Sequence, residues 1–208
     1  MIYGVYMKIR SYKNKDRKDL EEICISTGLN GELKQYFEDE DLFTKLWLSA
    51  YLDGQPENVF VVDYDGKIIG YLVSCFGNYK KYLIRFTLRW YCLLLWRYLT
   101  GHYKNTKFVK WCLFKSWREL PKIPKNSAHF HFNLMEGYRN KRLGIELIKK
   151  FEQKCKEKNI NLWYGITFIA PNRRQLKSYI KMGMKLYSKK RCTLFENSYT
   201  VCLTKEIL

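Results

Sequence analysis

The chain has no apolar run long enough to cross a bilayer. Its longest uncharged one, Trp90 to Trp96, is closed off by Arg89 and Arg97, whereas a spanning helix needs roughly 20 apolar residues. No charged start followed by an apolar stretch opens the sequence, so no secretory signal is expected. Cys-x-x-Cys pairs are missing too. The seven cysteines, Cys24, Cys75, Cys92, Cys112, Cys155, Cys192 and Cys202, are odd in number and scattered, which reads as reduced thiols packing as small apolar groups in a cytoplasmic protein. Zinc-ligand spacings, His-Glu-x-x-His, a Walker lysine loop and a dinucleotide Gly-x-Gly-x-x-Gly are all absent, so no metal site is expected.

Acidic residues are scarce: 20 against 38 basic ones give a net charge of +18 in 208 residues. The imbalance is uneven. Residues 1–76 hold 9 basic and 13 acidic side chains, residues 77–127 hold 12 and 1, and residues 128–208 hold 17 and 6. A basic C-terminal half suits a ligand with several phosphates, and an acidic start suits a cationic acceptor. The sharpest anionic cluster, Glu38-Asp39-Glu40-Asp41, precedes a helix expected over Leu42 to Leu52 and reads either as its favourable N-terminus or as an acceptor contact. With 47% hydrophobic residues, the chain can fill a core, which excludes disorder. One domain over 1–208 is expected.

The most informative stretch is 138–145, Tyr-Arg-Asn-Lys-Arg-Leu-Gly-Ile. Before it, Ala128 to Met135 alternates as a strand does, with His129, His131 and Asn133 on one face and Phe130, Phe132 and Leu134 on the other. After it, Leu147, Ile148, Phe151 and Cys155 form one helical stripe, with Lys154, Lys156 and Lys158 near the negative end. A turn entering a helix presents free backbone N–H groups, and Arg139, Lys141 and Arg142 surround it, so an anion is favoured there. Downstream, Ile160 to Ala170 reads as a strand, and Pro171-Asn172 opens a helix that turns Leu176, Tyr179 and Ile180 inward before Gly183 ends it. Val59 to Tyr64, Asp65-Gly66 and Lys67 to Phe76 read as a β-hairpin.

Arg139-Asn140-Lys141-Arg142-Leu143-Gly144 resembles the Q/R-x-x-G-x-G/A signature of the GNAT acyltransferase superfamily, with Arg142 where the family has a glycine. Asn172, Tyr179 and Gly183 resemble the family's Asn-x-x-x-x-x-x-Tyr-x-x-x-Gly block. Met7 to Tyr12 and the Asp16-to-Ile23 segment look like its first strand and helix, with Asp16 as the cap, and Met1 to Tyr6 would be an extension. The resemblance implies an α/β fold with a mixed, mostly antiparallel central sheet flanked by helices. It also implies an N-acetyltransferase moving an acetyl or other short acyl group directly from acetyl-CoA to an amine. Leu134 and Met135 would hold the thioester arm, residues Arg139 to Ile145 the pyrophosphate, and Asn172 the pantetheine. Tyr179 would be the general acid. No glutamate stands on the strand before the turn, so His129 and His131 are the candidate bases; two structural histidines bonded within the sheet are the alternative.

Residues 77–127 lengthen a connection that the family keeps short. They hold four of the six tryptophans, and Lys81, Arg85 and Arg89 make a basic stripe on an apolar helix, followed after Gly101 by the basic aromatic stretch Lys107 to Arg118. Three readings remain open: a helical hairpin serving as lid or dimer interface, a membrane-surface element, or a nucleic-acid contact. The alternative to an enzyme is an inactive GNAT-like scaffold that binds a membrane or RNA through this insert.

Overall fold

The computed structural model describes residues 7–76, 80–139, 141–169 and 175–207. Met1 to Tyr6, Asn140 and Asn172 lie outside the described residues. Seven strands, β1 (Met7–Ser11), β2 (Val59–Tyr64), β3 (Lys67–Cys75), β4 (Ala128–Leu134), β5 (Leu162–Ile169), β6 (Lys185–Cys192) and β7 (Ser198–Glu206), form one sheet. Its order is β1-β2-β3-β4-β5-β7-β6, antiparallel except between β4 and β5.

The hairpin expected from Asp65-Gly66 joins β2 to β3, and both turn residues take positive φ, +51° and +87°, as a two-residue turn matched to strand twist demands. Asp63 Oδ1 accepts the Gly66 N–H at 2.9 Å and closes it. On one face of the sheet lie α1 (Arg17–Thr27), the short helices α2 (Leu33–Tyr36) and α3 (Glu40–Thr44), a π-helical turn Lys45–Ser49, and α4 (Ala50–Gly54). The helix expected over Leu42 to Leu52 is therefore one continuous helical run with a π turn inside it.

Asp16 does something other than cap α1. Its carboxylate accepts from Arg10 at 2.7 and 2.9 Å and from the Lys13 N–H at 2.8 Å, while Arg10 also reaches Asp63 at 2.8 Å. These bonds outweigh burial and hold the Asp16 carboxyl below its usual range; for Asp63 the Arg10 bond is the leading cause.

Residues 77–127 supply α5 (Lys80–Leu99), α6 (Lys107–Phe114) and α7 (Ser116–Glu119). Docking uses the acidic cluster. Arg97 grips Asp39 at 2.7 and 2.6 Å, Tyr103 donates to Asp39 at 2.8 Å, the Lys104 N–H reaches Glu38 at 2.5 Å, and Trp90 Nε1 donates to the Leu42 carbonyl at 2.8 Å. Asp39 also caps α3 through the Leu42 N–H at 3.1 Å. At the far end Glu119 accepts from Trp111 at 2.6 Å and from Thr193 at 2.7 and 2.8 Å. No helix of the described residues is long and apolar enough to cross a membrane.

On the opposite face α8 (Lys141–Glu157) lays Leu147, Ile148, Phe151 and Cys155 onto Phe130 and Trp163, and α9 (Gln175–Lys181) follows β5. Two cores thus sandwich the sheet, one under α1–α6 and one under α8.

Candidate active site

β4 and β5 are partners only at their start. Ala128 pairs with Trp163 and His129 with Tyr164; after that the two strands part. β4 stays paired to β3 as far as Leu134, and the Met135 N–H continues the ladder to the Ile69 carbonyl at 2.9 Å. Because donors alternate along a strand, the main-chain groups of Phe130, Phe132 and Leu134 turn toward the side that β5 has left. A strand that loses its neighbour in mid-sheet leaves backbone polar groups needing partners. Here that edge borders a cleft of about 200 Å³ running between the two strands.

The cleft is built from both faces. β4 contributes His131 and Asn133 from one face and Phe130 and Phe132 from the other; β5 contributes Gly165 to Phe168, and α9 contributes Tyr179. Over it lie Cys24 and Thr27 of α1, Gly28 and Leu29 after it, Phe43 of α3 and Trp47 of the π turn. Asn133 Nδ2 donates to the Tyr71 hydroxyl at 2.7 Å across the β3–β4 pair.

His131 of β4 and Tyr179 of α9, named from sequence, therefore line one cleft. His129 sits behind His131: their Nε2 atoms are 3.2 Å apart, and Tyr51 hydroxyl lies 2.9 Å from His129 Nε2. Trp47 meets His131 edge to face at 4.8 Å, and Tyr51 stacks on His129. Burial lowers the His131 pKa to about 4, and burial together with His131 pushes His129 well below its ordinary value, so both rings are neutral at neutral pH. Burial raises the Tyr179 hydroxyl, which stays a proton donor. It also pushes Cys24 up to about 12, so the one cysteine lining the cleft is a thiol and a poor nucleophile.

Leu134 and Met135 differ in availability. The Leu134 carbonyl accepts from Arg139 Nε at 3.2 Å, which folds that side chain back along the turn. Met135 has both main-chain groups engaged, its N–H with Ile69 and its carbonyl with the Tyr138 N–H. Arg142, standing where the resemblance expects glycine, is 89% exposed and pairs with Glu146 one turn on, at 3.0 Å. Lys141 opens α8, Leu143 is buried, Ile145 is exposed, and a Cβ on Gly144 would meet Phe132 Cε2 at 3.5 Å, an ordinary contact.

No member of the Glu38–Asp41 cluster lines the cleft, which removes the acceptor contact as its role; capping α3 and seating the insert account for it. Nor does any described residue of 77–127 line the cleft, so the lid reading of the insert is not what the fold displays. Trp111 packs on the cleft residue Phe168 from behind, with ring centroids 5.8 Å apart.

Sequence reading missed Trp47, Tyr51 and Tyr71. The first two are i and i+4 on one helical face, and Tyr71 stands opposite Asn133 in the ladder, but no local signal tells which sheet surface a helix will cover. Among the described residues no cluster suited to a metal ion occurs.

Residues 25–184 match the model of the Acetyltransferase (GNAT) family. Among curated proteins no sequence matches the chain. Similar solved structures include SsHAT, at 19% identity over 97% of this chain and 98% of that one, with a TM-score of 0.67. Ard1 from Thermoplasma volcanium follows at 15% identity, 97% and 98% coverage and a TM-score of 0.58. The yncA protein from Salmonella typhimurium, solved with its cofactor acetyl-CoA, has 12% identity, 97% and 94% coverage and a TM-score of 0.55. At such identities these likenesses speak for the fold.

Proposed function

Because the chain belongs to the acetyltransferase (GNAT) family, we propose that it transfers an acetyl group from acetyl-CoA directly to an amine in the cleft between β4 and β5. The observation that carries this is the parting of the two strands after His129, which leaves the Phe130–Phe132 edge of β4 against a cleft lined by His131 and Tyr179.

The residues divide the work as follows. The turn from Arg139 to Gly144 and the start of α8 take the pyrophosphate, where charge-assisted hydrogen bonds contribute about 1.5–3 kcal/mol each. The edge of β4 that β5 leaves, ending at the Leu134 N–H, holds the pantetheine arm and the thioester carbonyl, the Leu134 carbonyl being taken by Arg139 Nε. Met135 borders that arm by side chain alone. Tyr179 gives a hydrogen bond to the departing sulfur; a thiol of pKa about 8.5 leaves readily beside a phenol of about 10. His131 receives the acceptor's proton, and His129 with Tyr51 fixes its ring. Cys24, held as a thiol, takes no acyl group, which favours direct transfer over a covalent intermediate.

Thermal-shift titration with acetyl-CoA tests the reading: saturation at 100 times Kd should add about 2.7 kcal/mol of stability. Absence of any shift would contradict it.

A second reading has its own observation. The outer side of α5 exposes Leu88, Leu95, Trp96 and Leu99, and Phe114 and Trp117 are exposed beyond it. With Arg89 and Lys110 also exposed nearby, this surface suits an anionic membrane. Flotation with phosphatidylserine vesicles checks it, and protein left in the bottom fraction would remove it.

A further inference from the structure

Among the described residues, charge is what the cleft lacks. All 20 Asp and Glu residues of the chain lie among the described residues, and none of them lines it. The cluster that would have greeted a cation, Glu38 to Asp41, is turned to α3 and to the insert. In its place the cleft offers aromatic walls, Phe43 and Trp47 on one side and Phe168 and Tyr179 on the other.

We propose that the acceptor is an amine already neutral at neutral pH and carried on a flat apolar body, an arylamine or a similarly weakly basic amine, not an alkylammonium. This rests on the acyl-transfer reading above and narrows it. Stripping water from a cation without a carboxylate to replace it is unfavourable, whereas a flat neutral ring exchanges water for aromatic contact.

The chemistry agrees. An alkylammonium of pKa about 10.4 must lose a proton before it can attack, and His131, whose pKa burial lowers to about 4, cannot take it. A neutral amine attacks first. Its lone pair forms the N–C bond at the thioester carbonyl, and only then is the nitrogen acidic enough to give His131 its proton. The C–S bond breaks with its electrons on sulfur, which takes the proton shared by Tyr179. The His131 proton replaces that one, and the products are amide and free thiol.

The test uses the full chain and matched pairs that differ in amine basicity but keep an aromatic ring: aniline with benzylamine, and 4-methoxyaniline with 4-methoxybenzylamine. Free thiol release at pH 7 should show kcat/KM at least tenfold higher for the arylamine of each pair. The arylamine rate should be flat from pH 6 to pH 9, and the benzylamine rate should climb about tenfold per pH unit. Equal or faster acylation of the benzylamines at pH 7 overturns the proposal, as does acylation of neither while calorimetry shows that acetyl-CoA binds. Failure of acetyl-CoA itself to bind overturns the acyl-transfer reading and this inference with it.

Discussion

The seam between the insert and the body and the cleft between β4 and β5 are built from opposite materials. At the seam, Glu38, Asp39, Asp41 and Glu119 each meet donors on the other side of the contact. In the cleft no carboxylate appears, and aromatic rings surround the neutral imidazole of His131, with neutral His129 behind it. The seam's charges are paired and fixed, so they hold structure. The described groups lining the cleft are uncharged and adjacent to the strand edge that β5 leaves, so they are available for chemistry. Stability and turnover should therefore respond to different substitutions.

Tyr179→Phe gives the largest effect. Turnover should fall about 100-fold or more, in the range for loss of a general acid, with coenzyme affinity and melting temperature unchanged. Equal transfer rates for variant and wild type would remove the acid from the account. Asp39→Asn should do the opposite. Breaking a pair whose carboxylate is 4% exposed costs about 3 kcal/mol, a fall of roughly 6–12 °C in Tm, while the folded fraction keeps its kcat. A loss of turnover with unchanged Tm would blur the division between the two regions.

A histidine whose folded pKa lies below its unfolded value stabilises the fold above pH ~6.5 and loses that contribution as pH falls toward its folded pKa. For His131 this window runs down to about 4, and the loss is on the order of 3 kcal/mol. Urea unfolding at pH 7 and pH 4.5 should show a smaller difference for His131→Gln than for wild type; an unchanged difference would mean the ring is solvated. The smallest effect is expected outside both regions. Arg142→Glu should raise the KM for acetyl-CoA about tenfold through lost phosphate attraction, with kcat unchanged, and calorimetry would read the same shift.

Much of the fold was legible in the sequence. The Asp65-Gly66 hairpin, the alternation of β4 and the Leu147–Cys155 stripe are local signals, and each stands where periodicity placed it. The Met7–Ser11 strand and the helix after it were legible too, but the role of Asp16 was not, because its partner Arg10 is reached by a fold of the chain that a capping pattern does not encode. The site was half legible. His131 and Tyr179 carry residue-type and spacing signals; Trp47, Tyr51 and Tyr71 join them only through tertiary packing. The acidic cluster was legible as the N-terminus of α3, where Asp39 accepts the Leu42 N–H, but only the docking of α5 shows that Asp39 also belongs to Arg97 and Tyr103.

A crystal structure with acetyl-CoA bound would read the path of the coenzyme through the parted strands. The pantetheine arm should thread between Phe132–Leu134 of β4 and Gly165–Thr167 of β5, with the thioester sulfur within hydrogen-bond reach of the Tyr179 hydroxyl and the pyrophosphate at the turn before α8. An arm lying outside the parted strands, or a sulfur remote from Tyr179, would contradict acyl transfer in this cleft.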